Sequence, residues 1–347
     1  MTSGLAHPYT PTGYQMIDSV EIRNFRSFEA AALMDCRRLN VVIGENGSGK
    51  TALLEAIFLA AGPSPEIALR TRSWRGFEGG QLTGTEEQVE RALWADLFHK
   101  FDTKASSKVS LTGVREHTRS VEISFTEGYG PAYRLNRKAR RAGFAVSEIP
   151  PQVEFKWVVP DREPIIVNPI LEDGRLKIGR VPESYVKSAF FPANRTYSGV
   201  ETANRFSTLS RTFKEKSFIE MFNRHFPNIL DLSVEVSAGA AMLFAKVANL
   251  PEKIPLSLAS GGMNKLAAVL LAMPTQPGGV VLVDEIENGV HYKKLPLIWE
   301  SILHLAKEHD SQVFISTWPA PGSEDTKLGV LMEREVRHGA SEVYTGV

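Results

Sequence analysis

Gly44-Glu45-Asn46-Gly47-Ser48-Gly49-Lys50-Thr51 reads G-x-x-x-x-G-K-T, and its flanks decide how the chain folds. Leu39-Asn40-Val41-Val42-Ile43, just before it, is a short apolar run that predicts a strand. Ala52 to Ala61, just after it, predicts a helix stopped at Gly62-Pro63. A glycine-rich loop between strand and helix turns backbone N–H groups and a helix N-terminus toward phosphate. The glycines let the backbone curl against oxygen atoms with no Cβ in the way. The stretch therefore implies a bound nucleoside triphosphate. Gly44, Asn46, Gly47, Ser48 and Gly49 form the cradle, Lys50 neutralises the β- and γ-phosphates, and the Thr51 hydroxyl holds Mg²⁺. A plain helix cap would explain the glycines but not the Lys-Thr pair.

The composition supports a folded chain of one large domain or two lobes. Of 347 residues, 43% are apolar and 23% charged, enough for a packed core. Forty basic residues balance forty acidic ones, so binding to nucleic acid would need a local patch rather than whole-chain attraction. Cys36 is the only cysteine, which excludes an intrachain disulfide and a thiolate zinc cage and fits a reducing cytoplasm. The eight histidines show no ligand spacing, so no metal beyond the nucleotide's Mg²⁺ is expected. Leu266 to Met273, the longest uncharged apolar stretch near a helix, is too short to span a bilayer. The N-terminus shows no signal pattern, and a soluble, cytoplasmic protein without membrane contact is expected.

Outward from the loop, residues 1–15 carry two prolines and no periodicity, and a loose tail is expected. Ile17 to Ile22 reads as a strand. Glu86 to Phe101 places Val89, Leu93, Trp94, Leu97 and Phe98 at helical spacing and predicts one helix. From Val109 to Val167 alternating runs such as Val121-Glu122-Ile123-Ser124-Phe125 predict a β-rich lobe. Arg134, Arg137, Lys138, Arg140 and Arg141 form the densest basic run. It reads as a solvated hairpin tip before it reads as a phosphate-backbone contact. Residues 198–230 look helical, with an apolar face from Phe213, Phe218, Met221, Phe222 and Phe226, and Leu232 to Val247 alternates as a hairpin.

Two later stretches bear on the first. Leu258-Ala259-Ser260-Gly261-Gly262-Met263 precedes an apolar helix over Asn264 to Met273. Ser260 can cap it, and the glycines leave its first N–H groups bare. Either this is only a cap, or Ser260, Gly261 and Gly262 form a second phosphate-facing tip that meets a nucleotide carried by another copy. Val280-Val281-Leu282-Val283 then reads as a strand buried on both faces, ending in Asp284-Glu285. Carboxylates at the carboxyl end of such a strand lie where α/β sheets bind ligands. Asp284 is expected to hold Mg²⁺ with Thr51, and Glu285 to act on the attacking water.

Taken together, these stretches resemble the ATP-binding-cassette-type ATPases of the SMC, RecF and overcoming-lysogenization-defect group. The opening I-D-S-V-E-I-R-N-F-R-S-F at 17–28, the loop at 44–51 and Asp-Glu-Ile-Glu-Asn-Gly-Val-His at 284–291 carry the likeness. It implies an α/β P-loop NTPase head with a β-rich lobe and a helical insert. Residues 16–347 would form one head, divided into 16–197 (P-loop and β-rich lobe), 198–275 (helical and signature lobe) and 276–347 (Walker B and the last strands). It implies ATP and Mg²⁺ as ligands, Ala259 to Met263 as the signature motif with Ala259 where leucine is usual, and Lys50 and Glu285 as the catalytic pair. Glu287 to His291 would be the loop that touches the opposite subunit. Two heads would sandwich two ATP molecules, each held by one head's loop and the other's Ser260-Gly261-Gly262 tip, giving a homodimer or higher homo-oligomer.

Two departures stand out. The strand Val313-Phe314-Ile315-Ser316-Thr317 should end in a histidine that senses the γ-phosphate, and Trp318 occupies that place. Tryptophan can neither accept nor shuttle a proton, so turnover is expected to be slow or to draw on Thr317 or His291. The usual glutamine-bearing loop has no clear counterpart; Gln81 reads first as a polar loop residue. Glu333 to Val336 and Glu342 to Tyr344 suggest a closing hairpin. The stretch after Trp318 falls well short of a typical domain of about 100 residues, so nuclease action, if present, is expected from a separate partner. Three roles are consistent with these readings: an ATP-driven switch serving an effector in defence or a DNA transaction, a slow ATP-bound scaffold, and a DNA-repair clamp.

Overall fold

The computed structural model describes residues 16–62, 64–76, 86–113, 118–126, 152–172, 175–178, 186–193, 199–237, 239–318 and 329–332. The tail at 1–15, Gln81, the basic run from Arg134 to Arg141 and the hairpin expected over 333–344 lie outside them.

In chain order, β1 (Ile17–Phe25), β2 (Phe28–Leu33) and β3 (Leu39–Ile43) lead into the phosphate loop and α1 (Lys50–Ala61). Helices α2 (Glu66–Trp74) and α3 (Glu86–Trp94) precede β4 (Ser107–Gly113), β5 (Thr118–Thr126), β6 (Gln152–Val158) and β7 (Ile165–Val167). A hairpin of β8 (Ile170–Glu172) and β9 (Arg175–Lys177) is followed by β10 (Ser188–Phe191), α4 (Gly199–Arg211) and α5 (Glu215–His225). Strands β11 (Ile229–Ser237), β12 (Ala240–Val247) and β13 (Ile254–Pro255) lead to the short α6 (Leu256–Ala259) and to α7 (Gly261–Thr275). Finally come β14 (Val280–Val283), α8 (Leu295–Glu308), β15 (Gln312–Thr317) and β16 (Gly329–Met332).

Two sheets organise the core. One is antiparallel, in the order β2-β1-β4-β5-β6-β7. The other runs β10-β14-β15-β3-β16, parallel except for its edge strand β16. The parallel sheet is covered on both faces, and its side chains sort by the two-residue period of a strand. Val280, Leu282, Val42 and Phe314 face a core shared with α1 and the antiparallel sheet. Val281, Val283, Val41, Val313 and Ile315 face a second core built by α4, α5, α7 and α8. Helix α1 is thus pressed between two sheets, and all its residues except Thr51 are buried. This explains why Ala52 to Ala61 lacks a polar face. The same holds for α7, buried from Asn264 to Met273.

Glu86 to Phe101 does not form one helix. Helix α3 ends at Trp94, and two 3₁₀ turns follow, at 95–97 and 99–101. Tertiary packing overrides the periodicity here. Trp94 is fully buried edge-on against Phe155 of β6, at 5.2 Å between ring centroids. Phe98 leaves helical geometry to form a backbone bridge with Phe25. The hairpin expected over Leu232 to Val247 is present as β11–β12 and begins three residues earlier, at Ile229.

Buried polar side chains join the layers. Gln312 on β15 accepts from the Ile17 N–H at 2.8 Å and donates to the carbonyls of Ile17 (2.8 Å) and Arg37 (2.9 Å), pinning the start of β1 to the parallel sheet. Arg119 on β5 is 8% exposed. It donates to the Ala60 and Gly62 carbonyls at 2.7 and 2.8 Å, closing the C-terminal end of the phosphate-loop helix. Burial pushes its pKa down to about 10. Arg119→Met keeps most of the volume but strips those carbonyls of their donor. The expected cost is about 2–4 kcal/mol in stability, read as a lower urea midpoint with an unchanged slope.

Candidate functional site: a phosphate loop facing two carboxylates

The loop between β3 and α1 has the backbone its sequence requires. Gly49 caps α1 at φ 104°, and a Cβ there would stand 2.7 Å from the Phe28 ring of β2. Only glycine satisfies both constraints. The Lys50 side chain folds back into the loop. It is 6% exposed, and its Nζ donates to the carbonyls of Gly44 (2.5 Å) and Glu45 (2.9 Å). The loop thus supplies the acceptors that would otherwise be phosphate oxygens.

The sheet order brings the second motif to the first. Strand β15 lies between β14 and β3, so Asp284, just past β14, comes close to Thr51. The Thr51 hydroxyl donates to Asp284 Oδ2 at 2.9 Å. These two hard oxygen donors, side by side at a phosphate loop, fit a Mg²⁺ ion that takes few protein ligands and keeps waters and phosphate oxygens for the rest. The other Asp284 oxygen accepts from Ser316 Oγ at 2.5 Å, and that hydroxyl accepts from the Glu285 N–H at 2.8 Å. Glu285 has φ 48°, the left-handed region, and its Oε2 accepts from Asn288 Nδ2 at 2.6 Å. Asn46, Lys50, Thr51, Asp284 and Glu285 line one cavity of about 980 Å³, large enough for a small-molecule ligand.

The lining of that cavity also holds a group of ion pairs. Glu55 of α1, 3% exposed, forms an ion pair with Arg26 at 3.0 Å from Nε and accepts two hydrogen bonds from Arg75, of 3.0 and 2.7 Å. Asp96 faces Arg26 at 3.5 Å and Arg72 at 3.4 Å. Three guanidinium groups thus gather around two carboxylates in the lining of the cavity.

Ser260 occupies the N-cap position of α7 in extended geometry, but its hydroxyl makes no capping hydrogen bond. The capping role expected of its side chain is therefore not seen. The hydroxyl lies at a partly exposed tip, where a Cβ on Gly261 would meet nothing within 4 Å. Gly262 is the opposite case: a Cβ there would fall 1.9 Å from the Gly289 carbonyl oxygen. The tip of α7 and the loop after Glu285 touch backbone to backbone.

Trp318 stands at the end of β15, half-exposed, with its ring centroid 5.8 Å from Lys50 Nζ. Its backbone N–H donates to Glu287 Oε1 at 3.0 Å. Thr317 is buried as the last residue of β15, paired with Ile43, and His291 is exposed. Sequence reasoning missed Lys265, Ser316 and the Arg26–Glu55–Arg75 group. Lys265 left one signal, a lysine at the head of an apolar helix. Its Nζ donates to the carbonyls of Asp284 (2.8 Å) and Glu285 (2.6 Å). Burial lowers its pKa to about 8 despite Asp284, Glu287 and Glu285 nearby.

Comparison with known proteins matches residues 16–336 to the model described as the RecF/RecN/SMC N-terminal domain. The chain belongs to the RecF/RecN/SMC family. A Helicobacter pylori protein named ATP/GTP phosphatase is 22% identical over 334 residues, covering 87% of this chain and 85% of that protein. The DNA replication and repair protein RecF of Shewanella frigidimarina is 47% identical over 108 residues, 31% of this chain and 25% of that protein. Among solved structures, the chain is similar to an SMC head bound to the C-winged helix domain of ScpA. That match has 16% identity, covers 87% of this chain and 89% of that one, and has a TM-score of 0.47. The α/β P-loop architecture expected of such a head is the one described above. Among the described residues, no helix is long and apolar enough to cross a membrane.

Proposed function

We propose that the chain is an ATPase whose ATP-linked dimerisation works as a conformational switch. The observation that carries this reading is the single cavity lined by the phosphate loop and by Asp284 and Glu285. Mg²⁺ on Thr51 and Asp284 would neutralise charge that develops on the phosphates. Lys50 leaves the Gly44 and Glu45 carbonyls for the β- and γ-phosphates. Glu285 takes the proton of a water whose oxygen bonds to the terminal phosphorus, and the bond to the leaving diphosphate breaks. The open tip at Ser260-Gly261, where a Cβ on Gly261 would meet nothing within 4 Å, supports a pocket completed by a second copy, because a helix N-terminus favours an anion.

The resemblance to the overcoming-lysogenization-defect group supports reading such a switch as part of a bacterial or phage-related defence or DNA-transaction system, with a separate effector, for instance a nuclease, as partner. RecF and Rad50 among the relatives favour a DNA transaction within that choice. Trp318 favours slow turnover: its ring faces Lys50 and offers no proton acceptor. The protein then dwells in the ATP-bound state and regulates its partner by holding it there.

Mixing Lys50→Ala and Ser260→Arg proteins tests the shared pocket. Each alone is expected to be inactive and monomeric with ATP. A heterodimer carries one intact composite pocket of two, and neither variant pairs with itself, so an equimolar mixture should regain up to about half of wild-type turnover if assembly is a symmetric pair. Equal inactivity in the mixture and the separate proteins, with no ATP-dependent assembly by light scattering, would sink the sandwich.

A further inference from the structure

Glu285 is held in a conformation that a residue with a side chain rarely adopts. Its φ of 48° lies in the left-handed region, and such strain persists only where surrounding groups over-determine it. From the sheet side, Ser316 Oγ takes the Glu285 N–H at 2.8 Å and the Ser316 carbonyl takes the Ile286 N–H at 3.2 Å. From the helix side, Lys265 Nζ donates to two consecutive carbonyls, those of Asp284 and Glu285. Lys265 is 4% exposed. Packing alone does not call for an ammonium at a site a methionine could fill, because burying a charge is costly unless it is well bonded. Lys265 also sits on the first turns of α7, the helix that starts at Gly261 and meets Gly289 backbone to backbone.

We infer that Lys265 is a positioning residue for Glu285: its ammonium clamps the carbonyls of Asp284 and Glu285, fixes the left-handed peptide that aims the Glu285 carboxylate, and makes that aim depend on where the tip of α7 sits. The inference rests on the reading of Glu285 as the base. It supplies the regulation of that site. A phosphate docking on Ser260-Gly261 shifts or stills α7, and Lys265 carries that change into the catalytic turn through one rigid helix.

Hydrogen exchange and steady-state kinetics on Lys265→Met and Lys265→Arg test it. In Lys265→Met without nucleotide, the Glu285 and Ile286 amides should exchange about tenfold faster than in the wild type. With a non-hydrolysable ATP analogue, the Kd should change less than about threefold, whereas kcat falls by roughly 30- to 100-fold at similar KM. Lys265→Arg, whose fork can reach two carbonyls, should recover a substantial part of both protection and kcat. Unchanged exchange with kcat within about twofold overturns the clamp. So does a loss shared equally by kcat and analogue binding, which would mark a merely structural lysine. If Lys265→Met does not fold, Lys265→Gln, which removes the charge and carries its two amide N–H donors on a shorter stem, is read against the same outcomes. The exchange measurement needs no turnover. A wild-type protein that hydrolyses nothing would remove the proposed ATPase and still leave the clamp to be decided.

Discussion

Glu285→Gln is expected to lower kcat by about 10²- to 10⁴-fold, the usual range for losing a positioned general base, and to leave nucleotide affinity nearly unchanged. The side chain keeps its length, and its amide oxygen can still accept from Asn288 Nδ2, now 2.6 Å from the Glu285 carboxylate. The left-handed φ of 48° at this position burdens glutamine and glutamate alike, and Lys265 still holds the peptide by its carbonyls. Only the ability to take a proton is lost. An enzyme that binds ATP but cannot break it should accumulate as an ATP-bound dimer on size-exclusion chromatography with light scattering. Hydrolysis at the wild-type rate would show that Glu285 is not the base, and attention would turn to Glu287, whose second carboxylate oxygen is buried without a hydrogen-bond partner among the described residues.

Gly262→Ala is expected to be the most damaging glycine-to-alanine change among the described residues whose obstacle is backbone. Its Cβ would stand 1.9 Å from the Gly289 carbonyl oxygen and 2.5 Å from the carbonyl carbon. Both are backbone atoms and cannot swing aside as a long side chain can. Either α7 or the loop after Glu285 must move, at a cost of about 2–4 kcal/mol. Movement of either disturbs the turn that Lys265 holds, so turnover should fall at least tenfold, as expected when a small displacement reaches a catalytic group. Gly261→Ala is the control. A Cβ there meets nothing within 4 Å, and alanine lowers the entropy of the unfolded chain, so its melting temperature should hold or rise. A Gly262→Ala protein as stable as its neighbour variant would mean that the α7 tip and the Gly289 loop are not in contact.

Much of this site was legible in the residues themselves. Gly44 to Thr51 carries its own geometry, because a run of glycines between an apolar strand and an apolar helix has few other stable backbones. Val280 to Val283 likewise announced a strand covered on both faces, and the structure divides those four residues between two cores by the period of the strand. The stretch from Glu86 to Phe101 shows where that logic stops. Its spacing is helical, yet Trp94 and Phe98 are claimed by Phe155 and Phe25, from strands far away in sequence. No local pattern records a competing partner. The Ser260 cap failed differently. The residue takes the capping position and the extended backbone, but its hydroxyl stays unbonded.

The chain alone thus determined which atoms could hold phosphate, which carboxylates lie at a strand end, and that the residue after the last buried strand, Trp318, offers no proton acceptor. Those are properties of consecutive residues, whose backbone and side-chain chemistry act over a few ångströms. The tertiary structure decided which of them meet. Thr51 reaches Asp284 across 233 positions of sequence only because β15 is inserted between β14 and β3, and Lys265 reaches the Asp284–Glu285 turn only because α7 packs beneath that sheet. Strand order is fixed by the burial of whole faces, an energy spread over both cores, and no single stretch of residues contains it.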